Sequence, residues 1–184
     1  MACISKISSA ITYDCETGSA GLVSALLINK EDIASIAFEP TDTARVKTIT
    51  LKKDASAYKI DTVKRVLTTT EALKVNEGAP NAYTHSATVV VTAPVVSALF
   101  KDLINPAANG SFVILTRIWQ SGKTQTARPF GLYYGMSATA VDGSSHDNGG
   151  WFTITMSTPE RVIGEDALAL DVSAYDALYS AAVG

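Results

Sequence analysis

The chain has 184 residues, of which 18% are charged and 47% are hydrophobic, and its formal net charge is −3. This length suits one domain, and so low a share of charged residues favours a chain that buries part of its surface against partners. Fifteen basic against eighteen acidic residues argue against a surface that grips nucleic-acid phosphates, because that function needs clustered Lys and Arg.

The N-terminal region contains both cysteines, Cys3 and Cys15, and starts with MACIS, which lacks the pattern of a signal peptide. A metal site would need about four ligands, and no histidine lies near the cysteines in the sequence. We therefore expect reduced thiols and no metal. We also expect no membrane anchor, since no apolar stretch reaches the roughly 20 residues of a membrane helix.

Strand patterns dominate the first half of the chain. Apolar and β-branched runs predict strands at residues 22–28, 33–38, 45–51, 58–67 and 72–75. The clearest alternation lies at residues 86–93, where Ala87, Val89 and Val91 share one face. This pattern predicts a half-buried strand.

The period of the apolar residues becomes helical directly after this strand. Apolar residues recur at helical spacing from Val96 to Ile104, and Asn105-Pro106 has the composition of a helix stop. A helix is therefore predicted at about residues 95–104, lying along one side of a sheet. It is the one helix that the pattern predicts clearly.

The second half continues with predicted strands at residues 111–119, 131–140 and 151–157. Residues 112–115 are continuously apolar, which predicts a strand covered on both faces. Residues 141–150 are rich in Gly, Asp and Asn, as in the turn of a hairpin. Near the C-terminus, residues 174–182 fit either a short helix or an arm that lies on a neighbouring subunit.

The whole chain, residues 1–184, is predicted to be a single domain, because no linker or fixed-period repeat divides it. Residues 1–21 and 166–184 are candidate arms between subunits. The expected fold is mostly β: an antiparallel β-sandwich or barrel with one flanking helix.

Residues with catalytic chemistry are few. His85 opens a strand, which favours a surface or interface role, and His146 lies in a glycine-rich loop, which is a poor place for a preorganised base. The acidic pairs Glu31-Asp32 and Glu165-Asp166 fit surface turns. We therefore predict that the chain is not an enzyme and has no catalytic, cofactor-binding or metal-binding residue.

One short motif invites comparison with a phosphate-binding loop. Residues 121–124 read SGKT, but the loop would need a glycine where Arg117 stands, and Pro129 interrupts the helix that should follow. We interpret this segment as a hairpin turn between Trp119 and Phe130.

The order of the sequence features is more informative than any single motif. The MACIS start is followed by LLINKEDIASIAF, the strand and helix ATVVVTAPVVSALFKDLINP, the strand SFVILTRIW, the glycine-rich FGLYYGMSATA and finally GGWFTITMSTPE. This order resembles the tail tube proteins of tailed bacteriophages. The likeness includes the short strand between two glycines at 131–135, the turn at 142–150 and the Thr-rich strand ending at Glu160.

The resemblance implies a β-sandwich with one flanking helix, whose copies form hexameric rings that stack into a tube. The partners would be further copies of the chain, the tape-measure protein and other tail proteins, with DNA only in transit through the lumen. The protein would be made in the host cytoplasm and located in the tail of the virion. Residues 59–83 and 1–21 are candidates for contacts between rings.

Two other functions remain open. The chain fits another ring or decoration protein of a virion, or the tube subunit of a related injection device. It also fits a small carbohydrate-binding β-sandwich, in which aromatic side chains would form a flat platform for a sugar: Trp119, Tyr133, Tyr134 and Trp151. Packing of these aromatic residues within strands and hairpins is the reading that we prefer.

Overall fold

The computed structural model describes residues 21–60, 67–91, 105–120, 124–143 and 152–183. Within these ranges the chain is mostly β, as predicted, with few helices. The strands are β1 (Leu22–Asn29), β2 (Ile33–Glu39), β3 (Asp42–Leu51), β4 (Tyr58–Ile60), β5 (Leu67–Lys74), β6 (Ala82–Val91), β7 (Ser111–Gln120), β8 (Thr124–Phe130), β9 (Met136–Gly143), β10 (Phe152–Ser157) and β11 (Ala169–Leu170). The helices are α1 (Asn105–Asn109), α2 (Val172–Ala181) and a 3-10 turn at Lys30–Asp32.

All the described strands belong to one 11-stranded sheet. Its main path runs β2-β3-β11-β8-β7-β9-β10-β6-β5, while β1 joins β7 and β4 joins β1 beside this path. The strand pairings are antiparallel, except that β11 runs parallel to β3. The predicted antiparallel sheet is therefore confirmed with this one exception.

Strand β7 lies at the centre of the fold because it has partners along both of its edges. One edge pairs with β1, and the other pairs first with β9 and then with β8. Val113 and Leu115 point into one hydrophobic core, whereas Phe112 and Ile114 point into a second core on the opposite face. The prediction that this strand is covered on both faces is confirmed.

The first core is closed by the C-terminal part of the chain. Leu168, Leu170 and Tyr175 of this segment are buried, and the Tyr175 hydroxyl hydrogen-bonds the Ser24 hydroxyl at 2.8 Å. Burying each such large side chain contributes about 1.5–3 kcal/mol to folding. Residues 166–183 thus pack on their own chain; a contact of the same segment with a neighbouring subunit stays a prediction.

The strand boundaries around the threonine run differ from those predicted. The predicted strand at 58–67 includes residues 61–66, which lie outside the described residues. Strand β5 contains Thr68 and Thr70, which were expected to lie between two strands. Both threonines pair across to hydroxyl-bearing residues of β6, namely Thr88 and Ser86. Threonine is β-branched and fits a pleated, half-buried surface, so three in succession extend a strand instead of interrupting it.

The strand predicted at residues 131–140 was also partly wrong, because residues 131–135 form a turn and β9 begins at Met136. Gly131 and Gly135 have φ angles of +71° and +74°, which strongly favour glycine. A Cβ on Gly135 would lie 2.0 Å from the Ser111 hydroxyl. We call residues 131–135 the glycine turn.

The helices that the structure describes lie outside the segment in which the flanking helix was predicted. The predicted helix at 95–104 and residues 1–20 of the N-terminal segment lie outside the described residues. Asn105-Pro106 lies at the start of the described helix α1, where proline is tolerated in the first helical turn. Helix α2 (Val172–Ala181) confirms the helical alternative that was predicted for residues 174–182.

Candidate functional site

The main path of the sheet ends in β2 on one side and β5 on the other. Among the described strands, β2 pairs only with β3, and β5 pairs only with β6. The pairing of β2 contains several register shifts, whereas β5 pairs with β6 in an unbroken register from Leu67 to Lys74. Strand β5 therefore presents a regular edge whose outer backbone groups have no strand partner within the described structure.

Both charged side chains of β5 are engaged inside the subunit. Lys74 Nζ donates hydrogen bonds to the backbone carbonyls of Glu160 and Val162. Glu71 Oε2 accepts a hydrogen bond of 2.6 Å from Arg128 Nη2. Soluble proteins commonly protect a sheet edge with free lysines, prolines or bulges. Strand β5 has no proline or bulge, and its lysine is bound elsewhere.

Large aliphatic side chains are exposed where β5 ends. Leu73 is 62% exposed, and Val75, one residue beyond the strand, is 72% exposed. Asn76 fixes the following loop, because its Nδ2 donates to the carbonyls of Pro80 and Ile163 at 3.0 and 2.7 Å. A regular edge whose charged side chains are bound within the subunit, and which carries exposed aliphatic groups, has the character of an interaction surface.

A buried carboxylate holds the glycine turn close to this edge. Glu165 is 0% exposed, and its carboxylate accepts the backbone N–H groups of Tyr133 at 2.9 Å and Tyr134 at 2.8 Å. Its own backbone pairs with Tyr83 of β6 in both directions. Glu165 therefore ties the turn to the strand next to β5.

Lys30 also holds the glycine turn. Its Nζ donates a 2.8 Å hydrogen bond to the carbonyl of Leu132, and burial lowers the pKa of Lys30 while Glu165 acts in the opposite direction. Burial raises the pKa of Glu165 above its ordinary value of 4.5, and the N–H groups of Tyr133 and Tyr134 partly offset that rise. The glycine turn is thus held by Lys30 and Glu165, two side chains of opposite charge.

The raised pKa of Glu165 predicts a pH dependence of stability. The folded state binds this proton more tightly than the unfolded chain, so the stability that Glu165 contributes is fully present below pH 4.5 and declines as the pH rises through its folded pKa. Relative to Glu165→Gln, the wild type should lose free energy of unfolding as the pH rises above 4.5. Urea titrations of both proteins from pH 4 to 7 measure this difference, and a difference that grows with pH would contradict the prediction.

His85 forms the other support of the turn. It is 1% exposed, and its Nδ1 accepts the N–H of Gly131 at 3.0 Å. Its Nε2 lies 3.3 Å from Glu71 Oε2 but is too poorly aligned for a hydrogen bond. The side chains of Glu71, Arg128 and His85 thus connect β5, β8 and β6 beneath the open edge.

Two residues that were predicted to lie at the surface are therefore buried. His85 was expected to have a surface or interface role and Glu165 to lie in a surface turn, but both side chains are buried within the subunit. Glu31 and Asp166 are exposed, as expected of their acidic pairs. Gly131 and Gly135 indicate a turn whose inner N–H groups need partners, but they do not indicate that Glu165 is the partner.

The four aromatic residues considered for a sugar platform do not form one group. Tyr133 and Tyr134 lie on the glycine turn, next to the Phe112 end of β7, whereas Trp119 lies near the opposite end of that strand. At about 3.3 Å per residue, Trp119 is about 20 Å from the turn along β7. Trp151, like His146 and residues 121–123, lies outside the described residues.

The search for other sites covered the described residues only. In that part of the chain no group of three or more His, Cys, Asp and Glu side chains could hold a metal ion. No helix among those residues is long and apolar enough to cross a membrane. No protein-family model, curated protein or solved structure matches the chain.

Proposed function

We propose that the chain is a structural subunit that assembles with copies of itself through the open edge of β5, and that the assembly is the tail tube of a bacteriophage. The observation that carries self-assembly is the edge itself. Strand β5 is regular over its whole length, Glu71 and Lys74 are bound inside the subunit, and Leu73 is exposed at its end. A strand of this kind gains both backbone hydrogen bonds and apolar burial when a neighbouring chain pairs with it.

The two ends of the sheet path support a head-to-tail arrangement. Strands β2 and β5 differ in sequence and in regularity, so a contact that joins β5 to a different surface of the next copy is heterologous. Heterologous contacts generate closed rings when the rotation between copies closes. The proposed assembly is a hexameric ring of tail-tube-like β-sandwiches, and stacking of such rings makes the tube.

The charge of the chain is consistent with a channel through which DNA passes without being held. A net charge of −3 provides no excess of cations to neutralise phosphates. Arg45 and Lys47 of β3 are paired with acids, Asp42 and Asp171 for the arginine and Glu39 for the lysine. The proposed partners are further copies of the chain, the tape-measure protein and other tail proteins, and the proposed location is the virion tail.

Solution mass and electron microscopy of the untagged protein test this proposal. We expect light scattering to give a mass near six times the chain mass of 19.4 kDa, or larger. Negative-stain images should show rings or tubes with a central channel. A protein that stays monomeric at high concentration, with or without an added tail initiator complex, would contradict the proposal.

A further inference from the structure

The buried histidine of the network connects the proposed assembly edge to the glycine turn. His85 lies in β6, next to Glu71 of β5 in the register of the two strands. Its ring accepts the N–H of Gly131, the first residue of the glycine turn. The Phe130 ring packs edge-on against the imidazole with centroids 5.3 Å apart. Water is therefore excluded from a ring that touches three elements of the fold.

The hydrogen bond to Gly131 fixes the protonation state of this ring. Because Nδ1 accepts a hydrogen bond, the neutral imidazole must carry its proton on Nε2. A second proton can enter only at Nδ1, where it would face the N–H of Gly131. Two donors would then point at each other, and the buried Gly131 N–H would lose its acceptor.

We infer that His85 is an acid-sensitive latch, in which a proton on Nδ1 breaks the bond to Gly131 and frees this first residue of the glycine turn from β6, while Glu165 still holds Tyr133 and Tyr134. The latch is built into the fold whether or not the chain assembles. Its effect on assembly rests on the proposed function. Since Glu71 of β5 lies 3.3 Å from Nε2 of the same imidazole, a charge on His85 changes the surroundings of the edge strand, and we expect association through that edge to depend on pH.

Burial is the main reason why the imidazole is neutral at neutral pH, and the charged groups around it act in both directions. Burial lowers the pKa of His85 below its ordinary value of 6.5; Glu71 of β5 raises it, Arg128 of β8 lowers it, and Asp166 before β11 raises it. Glu71 is already engaged by Arg128 at 2.6 Å, so its charge is shared. The stability that neutral His85 provides is present above pH 6.5 and is lost as the pH falls towards the folded pKa.

Hydrogen exchange of the Gly131 amide tests the latch directly. We expect its protection factor, corrected for the intrinsic pH dependence of exchange, to fall by up to about fivefold between pH 6.5 and 5.5, since the open state takes up a proton with the ordinary pKa of 6.5. His85→Asn is the matched control. Its Oδ1 can replace Nδ1 as acceptor but does not titrate, so protection should be independent of pH over this range. The amide is followed by NMR at concentrations below assembly.

Unchanged protection of Gly131 in the wild type from pH 7.5 to 5.5 would overturn the latch. So would an equal acid response in His85→Asn. The titration of wild-type protein gives a result even if the variant does not fold. Light scattering at the same pH values separates the two proposals. If acid breaks the bond to Gly131 but no assembly forms at any pH, the latch is supported and the proposed function is rejected.

Discussion

Leu73→Lys is expected to raise the concentration at which the chain self-associates by at least about 100-fold. Leu73 is 62% exposed in the single subunit and lies in the regular edge strand β5. A lysine there would have its ammonium group desolvated by the incoming strand, at a cost of several kcal/mol, and each 1.4 kcal/mol is about a tenfold change in affinity. Sedimentation velocity over a concentration series measures the shift.

Tyr58→Lys provides the matched control for this prediction. Tyr58 is 44% exposed, but its strand is paired with β1 on one side and bridged to Val183 on the other. Both variants add one positive charge, so a general effect of net charge would weaken association equally in both. We expect a large shift only for Leu73→Lys. If the two variants have free energies of unfolding within about 0.5 kcal/mol of each other, the effect of Leu73→Lys is confined to assembly.

Glu165→Ala is expected to lower the free energy of unfolding by about 3–5 kcal/mol, because it removes two hydrogen bonds to a buried carboxylate, and each hydrogen bond to a charged group contributes about 1.5–3 kcal/mol. The N–H groups of Tyr133 and Tyr134 lose their acceptor, and Lys30 loses the negative charge beside it. A neutral hydrogen bond at the surface would contribute only about 1 kcal/mol. Denaturant unfolding below the assembly concentration measures the loss.

Glu160→Ala is the control for the buried carboxylate. Glu160 lies in the same segment and is exposed; its backbone carbonyl, which this substitution retains, accepts the bond from Lys74. Its removal should change the free energy of unfolding by no more than about 0.5 kcal/mol. A loss below about 1 kcal/mol for Glu165→Ala would mean that the glycine turn does not depend on its carboxylate.

The strands that could be predicted from sequence are those whose pattern matches their burial. The run Phe112 to Leu115 is apolar throughout and is buried on both faces, and the alternation of Ala87 and Val89 marks the inner face of β6. The threonine run was wrongly predicted to lie between two strands because threonine is common both in loops and in strands. Its strand state depends on pairing with β6, which is information from elsewhere in the chain.

The buried polar network could not be predicted from sequence. His85 and Glu165 are far apart in the chain, and each is buried only because the sheet places it beneath the glycine turn. Isolated ionisable residues are exposed far more often than they are buried, so a surface position was the reasonable expectation for each. The glycines at 131 and 135 indicated a special backbone, but not which side chains would hold it.

The central pairing of β1 with β7 also has a consequence for how the chain is made. The partners are distant in sequence, with Leu22 opposite Ile118 and Asn29 opposite Phe112. During translation the apolar β1 must therefore remain without its main partner until β7 has left the ribosome. Closing so long a loop before any contact compensates for it slows folding. The nascent chain thus exposes an aggregation-prone segment during much of its synthesis, which is the situation in which chaperones are most needed.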